Sequence, residues 1–561
     1  SDFQHFKSIP RRAGQVGVMS EQLTFGTAGM RAPIGPASHQ MNVFQVTRIT
    51  SGVAMWLGKH RIISPERRHL PEAYSMAEQF TATSPYELGG LDFHDADPAP
   101  RVVVGYDARY GSHVFATTAA EVFAGAGFEV FLLPTPSPTP LIPWLVRSWG
   151  LDGGVQITAS HNPAGDNGYK VYMNNGRQLT SSAAREIEAL IAQQVPAAVE
   201  IPRVTVRPCP DQLRRFIDEV TSIVMPSQAD LLRVNNERAN IKVAVTAMHG
   251  VGGRAMMQTL QSAGFAQIFP VMRQQYPDPT FPTVEFPNPE EPEAVAELLR
   301  LGKKVSADIV IALDPDADRC AVGIRLKDGT LRMLRGDETG PLLATRMVAP
   351  WDGEGEQPIV ATTMVSSQLL TAIAADRGWD LRLTPTGFKN LNAAGGEHTV
   401  AFAYEEAIGI SPAPWLVDDK DGITTALIAC TWAAELKAQG LTLADELESL
   451  YKHYGIYVGQ QIAIRTNDPT GLIGACIQNP PTTLAEINLE FEAVFSGERT
   501  PTGLLLRGPS PVGKIRVWAR ASGTEPKAKL YIEIAEATSR TQAEDLLQRI
   551  AREVTRYIRQ L

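Results

Sequence analysis

Arg101-Val-Val-Val-Gly105 opens a stretch that runs through an alanine-rich segment, 116–126, to Gly127-Phe128 and then Glu129-Val-Phe-Leu-Leu133. The β-branched run reads as a strand, the alanine-rich segment as a helix, and the glycine as the positive-φ residue that turns the chain back. Two parallel strands need such a helical crossover, so the stretch predicts a strand-helix-strand unit. The pattern returns twice. Ile241-Lys-Val-Ala-Val245 leads through a helical segment near 254–262 to Gly264-Phe265 and Gln267-Ile-Phe-Pro-Val271. Pro358-Ile-Val-Ala-Thr362 leads through 366–375 to Gly378-Trp379 and Leu381-Arg-Leu383. Three α/β domains of one type are expected. The C-terminal part differs: Ile462-Ala-Ile-Arg465, Lys514-Ile-Arg-Val-Trp518 and Ala528-Lys-Leu-Tyr-Ile-Glu-Ile534 precede a helix at 542–558, the order of a small α+β domain. The expected domains are 1–205, 206–328, 329–455 and 456–561, with loops at 86–100 and 281–292 and a linker at 196–211.

A chain of 561 residues exceeds a single core, and its 44% apolar and 20% charged residues are those of globular proteins. No apolar run is long enough to cross a membrane. The net charge of −9 argues against a nucleic-acid surface, so any phosphate site must be a local basic pocket. Cys209, Cys320, Cys430 and Cys476 are too scattered for a disulfide framework or a zinc spacing, and residues 1–7 lack a signal-peptide apolar core. A protein of the reducing cytoplasm is expected.

The chemistry concentrates at strand ends. Thr158-Ala-Ser160-His161-Asn-Pro163 follows the apolar run Gly153-Gly-Val-Gln-Ile157, and Asp314-Pro-Asp316-Ala-Asp318-Arg319 follows Ile309-Val-Ile-Ala-Leu313. Alternate aspartates in an extended segment share one side and can converge on a hard cation. An EF-hand is excluded, because Arg319 stands at its sixth position and Arg325 at its twelfth. Taken alone, the serine hexapeptide is a capped turn, and serine next to histidine is no hydrolase pair without a third orienting group. A hydroxyl nucleophile together with a metal cage suggests phosphoryl transfer through a phosphoserine.

Three further segments gain meaning from this company. Arg520-Ala-Ser522-Gly523-Thr524-Glu-Pro-Lys527 lies between two strands and combines a forked donor, two hydroxyls, a glycine that exposes backbone amides and a point charge, a set suited to a dianionic phosphate. By itself it would be a polar hairpin loop. Phe25-Gly-Thr-Ala-Gly-Met-Arg31 is a Gly-rich loop ending in arginine, and Tyr404-Glu405-Glu406-Ala407-Ile-Gly409 offers the acceptors that sugar hydroxyls require.

Together these motifs resemble the α-D-phosphohexomutase superfamily, in family order and over nearly the whole chain. The resemblance implies four domains around a central cleft: three related α/β domains with mixed sheets and a C-terminal α+β domain that binds phosphate. It implies that Ser160 is the phosphoserine, that Asp314, Asp316 and Asp318 hold Mg²⁺ with the Ser160 phosphate, and that His161 and Lys170 are the acid/base groups. Arg31 and Arg319 would steady the phosphoryl group in transit. Thr386, Gly387 and Glu405 would contact the sugar with Lys420 nearby, and Arg520, Ser522, Gly523, Thr524 and Lys527 would grip the non-reacting phosphate. The activity implied interconverts a sugar 1-phosphate and 6-phosphate, glucose first among them, with glucose 1,6-bisphosphate or an equivalent bisphosphate as activator. The expected partner is the phosphosugar, with no nucleic acid or membrane, and no oligomeric state is read from the sequence.

Ala407 stands where typical family members have serine, and Ala521 where proline is usual. The loops 404–409 and 417–422 look more like the branch that contains phosphopentomutase and glucose-1,6-bisphosphate synthase. Those two activities and phosphomannomutase specificity are the alternatives. Residues 61–99 match nothing in the family pattern and read as an insertion. An aspartyl-phosphate hydrolase with Asp314 as nucleophile and Asp316 as acid would leave the Ser160 and Arg520 loops unexplained. A silent sugar-phosphate-binding protein would not need Ser160, His161, Lys170 and all three aspartates.

Overall fold

The repeated pattern forms three mixed sheets of one design in the computed structural model, which describes residues 29–61, 99–494, 502–522 and 527–561. The first sheet holds β1 (Met30–Pro33), β2 (Arg101–Tyr106), β3 (Glu129–Leu132), β4 (Gly153–Ile157) and β5 (Asp166–Met173) in the order β1-β5-β4-β2-β3. Strands β3, β2 and β4 run parallel, while β5 is antiparallel to β4 and β1 to β5. Helix Ser112–Gly125 makes the crossover from β2 to β3, and Gly127, at φ 85°, turns the chain back.

The second sheet, of β6 (Lys242–Thr246), β7 (Gln267–Pro270), β8 (Ile309–Leu313), β9 (Cys320–Arg325) and β10 (Leu331–Met333), repeats the arrangement as β10-β9-β8-β6-β7. The third, of β11 (Ile359–Thr363), β12 (Asp380–Thr384), β13 (Val400–Glu405) and β14 (Gly409–Ser411), reads β12-β11-β13-β14, the same order from the other end. In every unit a central parallel strand (β4, β8 or β13) turns through a hairpin into an antiparallel neighbour (β5, β9 or β14). The three hairpin loops are therefore equivalent. Each contains one non-glycine residue with left-handed backbone: Ser160 at φ 51°, Ala317 at φ 58° and Ile408 at φ 56°.

Strands β4, β8 and β11 are buried along their whole length, as expected of parallel strands covered on both faces. One continuous apolar core runs through all three units, from Phe131 and Trp144 through Ile311 to Phe402 and Leu427. Helix Gly422–Ala438, buried almost throughout, ties the third unit to helices Leu231–Asn240 and Gly252–Ser262 of the second.

The C-terminal unit contains β15 (Ile456–Arg465), a small ladder of β16 (Thr483–Leu484) and β17 (Ile487–Asn488), then β18 (Glu490–Val494), β19 (Gly503–Pro509), β20 (Lys514–Ala521) and β21 (Lys527–Ala537). Its five-stranded sheet, β15-β21-β20-β19-β18, is antiparallel throughout and packs its own core under helix Arg540–Ile558. All four cysteines are buried and free, and no helix among the described residues is long and apolar enough to cross a membrane.

Candidate active site

The first two hairpin loops meet face to face. Ser160 is buried, and its hydroxyl donates to Asp314 Oδ2 at 2.9 Å and lies 3.3 Å from His161 Nδ1. Asp314, Asp316 and Asp318 are fully buried, each offering an oxygen within 4.8 Å of those of the other two. All three converge, but not by strand alternation: residues 315–318 form a turn with Ala317 in the left-handed region, and that turn gathers the carboxylates. Lys170, on β5 of the first unit, donates to Asp316 Oδ2 and Asp318 Oδ2, both at 2.7 Å. Lys420, which enters from the third unit, lies 3.2 Å from Asp318 Oδ2.

Arginines border this cluster. Arg31 on β1 donates to Asn162 Oδ1 at 3.1 Å, placing it beside the serine loop, and Arg319 donates its backbone N–H to Asp314 Oδ1 at 3.0 Å. The crowding sets the protonation states. Burial, Arg319 and Arg31 together push the His161 imidazole well below its usual pKa, which keeps it neutral. Burial and the neighbouring Asp316 and Asp318 drive Asp314 well above the carboxylate range. Burial acts the same way on Asp318, but Lys170, Lys420 and Arg319 outweigh it and hold that carboxyl well below the range.

The third hairpin loop brings Glu405 to the same cluster, where burial pushes its carboxyl up to about 7 against the pull of Lys420 and Arg319. Gly409 leaves no room for a side chain beside Lys420 and Glu405. Thr386 and Gly387 stand at the start of helix Phe388–Ala393, with the Lys420 ammonium 5.3 Å from the Phe388 ring centre. Arg520 stands apart, at the end of β20 in the C-terminal unit. Its Nη2 donates to the Tyr531 hydroxyl at 2.8 Å, and Tyr531 lines a cavity of about 250 Å³ between the second, third and fourth units together with Glu290, Glu406 and Arg516. Ser522 donates its N–H to the Lys527 carbonyl across the same hairpin. Gly523 and Thr524 lie outside the described residues, as do residues 25–28 and 62–98 of the Gly-rich loop and the expected insertion.

Residues 89–197, 214–327 and 335–454 match, in turn, the phosphoglucomutase/phosphomannomutase alpha/beta/alpha domains I, II and III. A probable phosphomannomutase of Haemophilus influenzae is 38% identical over 445 residues, covering 78% of this chain and 88% of its own. The chain belongs to the phosphoglucomutase/phosphomannomutase family. A phosphopentomutase of Mus musculus is 33% identical, covering 78% of this chain and 68% of its own. The crystal structure of a putative phosphomannomutase from Thermus thermophilus shares the fold at a TM-score of 0.67, with 21% identity over 96% of this chain and all of that one.

For a phosphoglucomutase/phosphomannomutase family member, the acid cluster passes a simple chemical test. Asp316 Oδ1 and Asp318 Oδ1 are buried without a hydrogen-bond partner, so a hard divalent cation would satisfy both and offset three buried carboxylates. The structure also adds residues that the sequence reading missed. Arg109, after β2, donates to the carbonyls of Ser160, Asn162, Pro163 and Asp166 at 2.5 to 3.2 Å, gripping the serine loop from behind. Asp107 accepts from the hydroxyls of Thr158 (2.7 Å) and Ser112 (2.6 Å), and Thr158 Oγ1 in turn accepts the Ser160 N–H at 2.8 Å. Their only sequence signal was their place at the carboxyl end of the first predicted strand, level with the serine loop.

Proposed function

We propose that this phosphohexomutase carries a phosphoryl group on Ser160 and moves it between the 1- and 6-positions of a phosphosugar, with glucose phosphates the first choice. The observation that carries the reading is the placement of the Ser160 hydroxyl between Asp314 and His161 at the seam of two units. Phospho-Ser160 donates its phosphoryl to the sugar phosphate, and the bound bisphosphate then returns the other one after turning over. Bound Mg²⁺, held by Asp314, Asp316 and Asp318 with the Ser160 phosphate, would neutralise charge on the transferring group.

The side chains divide the remaining work. Neutral His161 can accept a proton from the attacking sugar hydroxyl, and Lys170 can supply one, as acid/base catalysis requires. Arg31 and Arg319 stabilise charge on the phosphoryl oxygens in transit. Glu405, Thr386, Gly387 and Lys420 hold the sugar. Arg520, Ser522, Gly523, Thr524 and Lys527 bind the phosphate that is not reacting, so binding energy far from the reacting centre is used for catalysis. Glucose 1,6-bisphosphate, or a like bisphosphate, reloads Ser160, and the enzyme works in the cytoplasm.

The hydrolase reading is disfavoured, because it gives no role to Ser160, whose hydroxyl faces Asp314 at 2.9 Å, or to the Arg520 loop. Ala407 gives the third loop no hydroxyl to offer the sugar, which favours a second reading in which pentose phosphates or net bisphosphate synthesis are the physiological chemistry. A panel of glucose, mannose, ribose and deoxyribose 1-phosphates identifies the preferred sugar. The central test is intact mass after incubation with glucose 1,6-bisphosphate: wild type gains one phosphoryl group and Ser160→Ala gains none. Turnover of that variant falls by about 10³-fold or more. Mutase rates near wild type in Ser160→Ala would sink the phosphoserine mechanism.

A further inference from the structure

One buried contact that crosses from the first unit into the acid cluster has no part in the mechanism above. Thr139 ends the Pro-rich turn after β3 and is completely buried. Its backbone N–H donates to the Asp316 carbonyl at 2.9 Å, and its hydroxyl donates to Asp316 Oδ2 at 2.7 Å. The turn is stiff. Ser137 N–H bonds to the Tyr106 carbonyl at 2.8 Å, Gln156 Nε2 on β4 bonds to the Ser137 carbonyl at 3.0 Å, and Pro140 leads directly into helix Leu141–Trp149.

Lys170 Nζ donates to the same oxygen, Asp316 Oδ2. Both donors therefore come from the first unit, on two separate elements, and both converge on one carboxylate oxygen. The other oxygen, Oδ1, is buried and has no partner. A carboxylate on a loop can rotate about its last bond, and a single lysine, whose charge attracts either oxygen, does not define that rotation. A hydroxyl on a rigid turn does, since it reaches only the oxygen in front of it.

We propose that Thr139 is a positioning residue that fixes the rotation of Asp316, pinning Oδ2 and leaving Oδ1 for a divalent cation. The cation site on the second unit is thereby completed by the first. This rests on the reading of the three aspartates as a metal site. Partners that orient a ligand in this way change metal affinity by about 10- to 100-fold.

The test measures Mn²⁺ binding to the full chain by electron paramagnetic resonance, with the thermal midpoint in chelator as the check on folding. Thr139→Val keeps shape and backbone N–H but loses the hydroxyl, and it is expected to bind Mn²⁺ about 10-fold more weakly than wild type. Thr139→Ser keeps the hydroxyl and is expected to stay within about 2-fold, with both midpoints in chelator close to wild type. Wild-type affinity in Thr139→Val overturns the proposal, and so does a Thr139→Ser as weak as Thr139→Val, since the hydroxyl would then not be the agent. If Thr139→Val does not fold, Thr139→Cys, whose thiol is a poor donor, reads the same contact: several-fold weaker binding supports the role and wild-type binding overturns it. Mn²⁺ binding that survives Asp316→Ala unchanged would instead remove the metal reading itself, and the role of Thr139 with it.

Discussion

Ser160 holds its backbone at φ 51°, where a β-carbon costs roughly 1 to 2 kcal/mol, and something must hold it there. Asp107 and Arg109 do so. Arg109 is almost fully buried and pairs with Asp107 at 3.3 Å while it grips four carbonyls, and Asp107 steers Thr158, which accepts the Ser160 N–H. Arg109→Met leaves the buried Asp107 carboxylate without its countercharge and takes the guanidinium donors from four carbonyls, so urea unfolding should show a loss of about 3 kcal/mol. Arg109→Lys should recover little, because a point charge cannot replace the fork. A stability loss below about 1 kcal/mol in Arg109→Met would contradict the clamp. None of this was legible in the sequence. An aspartate and an arginine two residues apart after a strand describe many surface turns, and only the tertiary meeting of two loops shows what they hold. The Asp314 cluster was legible from its three carboxylates after an apolar strand, whereas the turn through left-handed Ala317 that gathers them was not.

Hairpins β4–β5, β8–β9 and β13–β14 give the three functional loops one position in three copies of a unit, and the loops after β2, β6 and β11 support them from behind. After β2 the support is Arg109. At the end of β11 it is Thr363, which donates to Glu406 Oε2 at 3.0 Å, with Ser366 of the following loop donating to the same oxygen at 3.4 Å. After β6 it is bare backbone: Val251 N–H bonds to the Pro315 carbonyl at 2.8 Å, and a β-carbon on Gly250 would run into the Pro315 backbone. Gly250→Ala must therefore push the aspartate loop away. It should cost about 1 to 3 kcal/mol and weaken Mn²⁺ binding, whereas Gly165→Ala, with nothing within 4 Å, should stay within about 0.5 kcal/mol. Equal thermal midpoints for the two variants would refute this support. The strand-helix-strand repeat was readable because central parallel strands demand β-branched runs and a glycine at the return. The edge strands β1 and β10, of four and three residues, were not, since a strand that short carries no period.

Three of the four units share one core, whereas the fourth packs mostly its own, joins the shared core through Tyr457 and Ala535, and meets the third through polar contacts and an apolar patch of Val365, Leu505, Trp518 and Tyr531. Arg335 donates to the Gly459 carbonyl at 3.0 Å, Gln368 N–H donates to Glu533 Oε1 at 3.2 Å, and Arg516 donates to the Met364 carbonyl at 3.3 Å. Asp337 lies in the cavity at this seam, accepting from Ser367 N–H at 2.8 Å and from the Tyr404 hydroxyl at 3.2 Å. Burial pushes its carboxyl up to about 7, with Glu533 and Glu406 adding to the rise and the Ser367 N–H and Arg335 opposing it. The sign of the pH effect follows. The folded protein binds this proton more tightly than the unfolded chain does, so the stabilisation is complete below the ordinary aspartate range and is lost as pH rises from about 4 to about 7. A rise of that size would be worth at most about 4 kcal/mol in a dry site, and the partial exposure of Asp337 reduces it to about 1 to 2 kcal/mol. Asp337→Asn keeps an acceptor for Ser367 and removes the titration. Between pH 4 and pH 8 the urea-unfolding free energy of wild type should therefore fall by about 1 to 2 kcal/mol relative to Asp337→Asn, and parallel profiles for the two proteins would show that this carboxyl does not govern the seam.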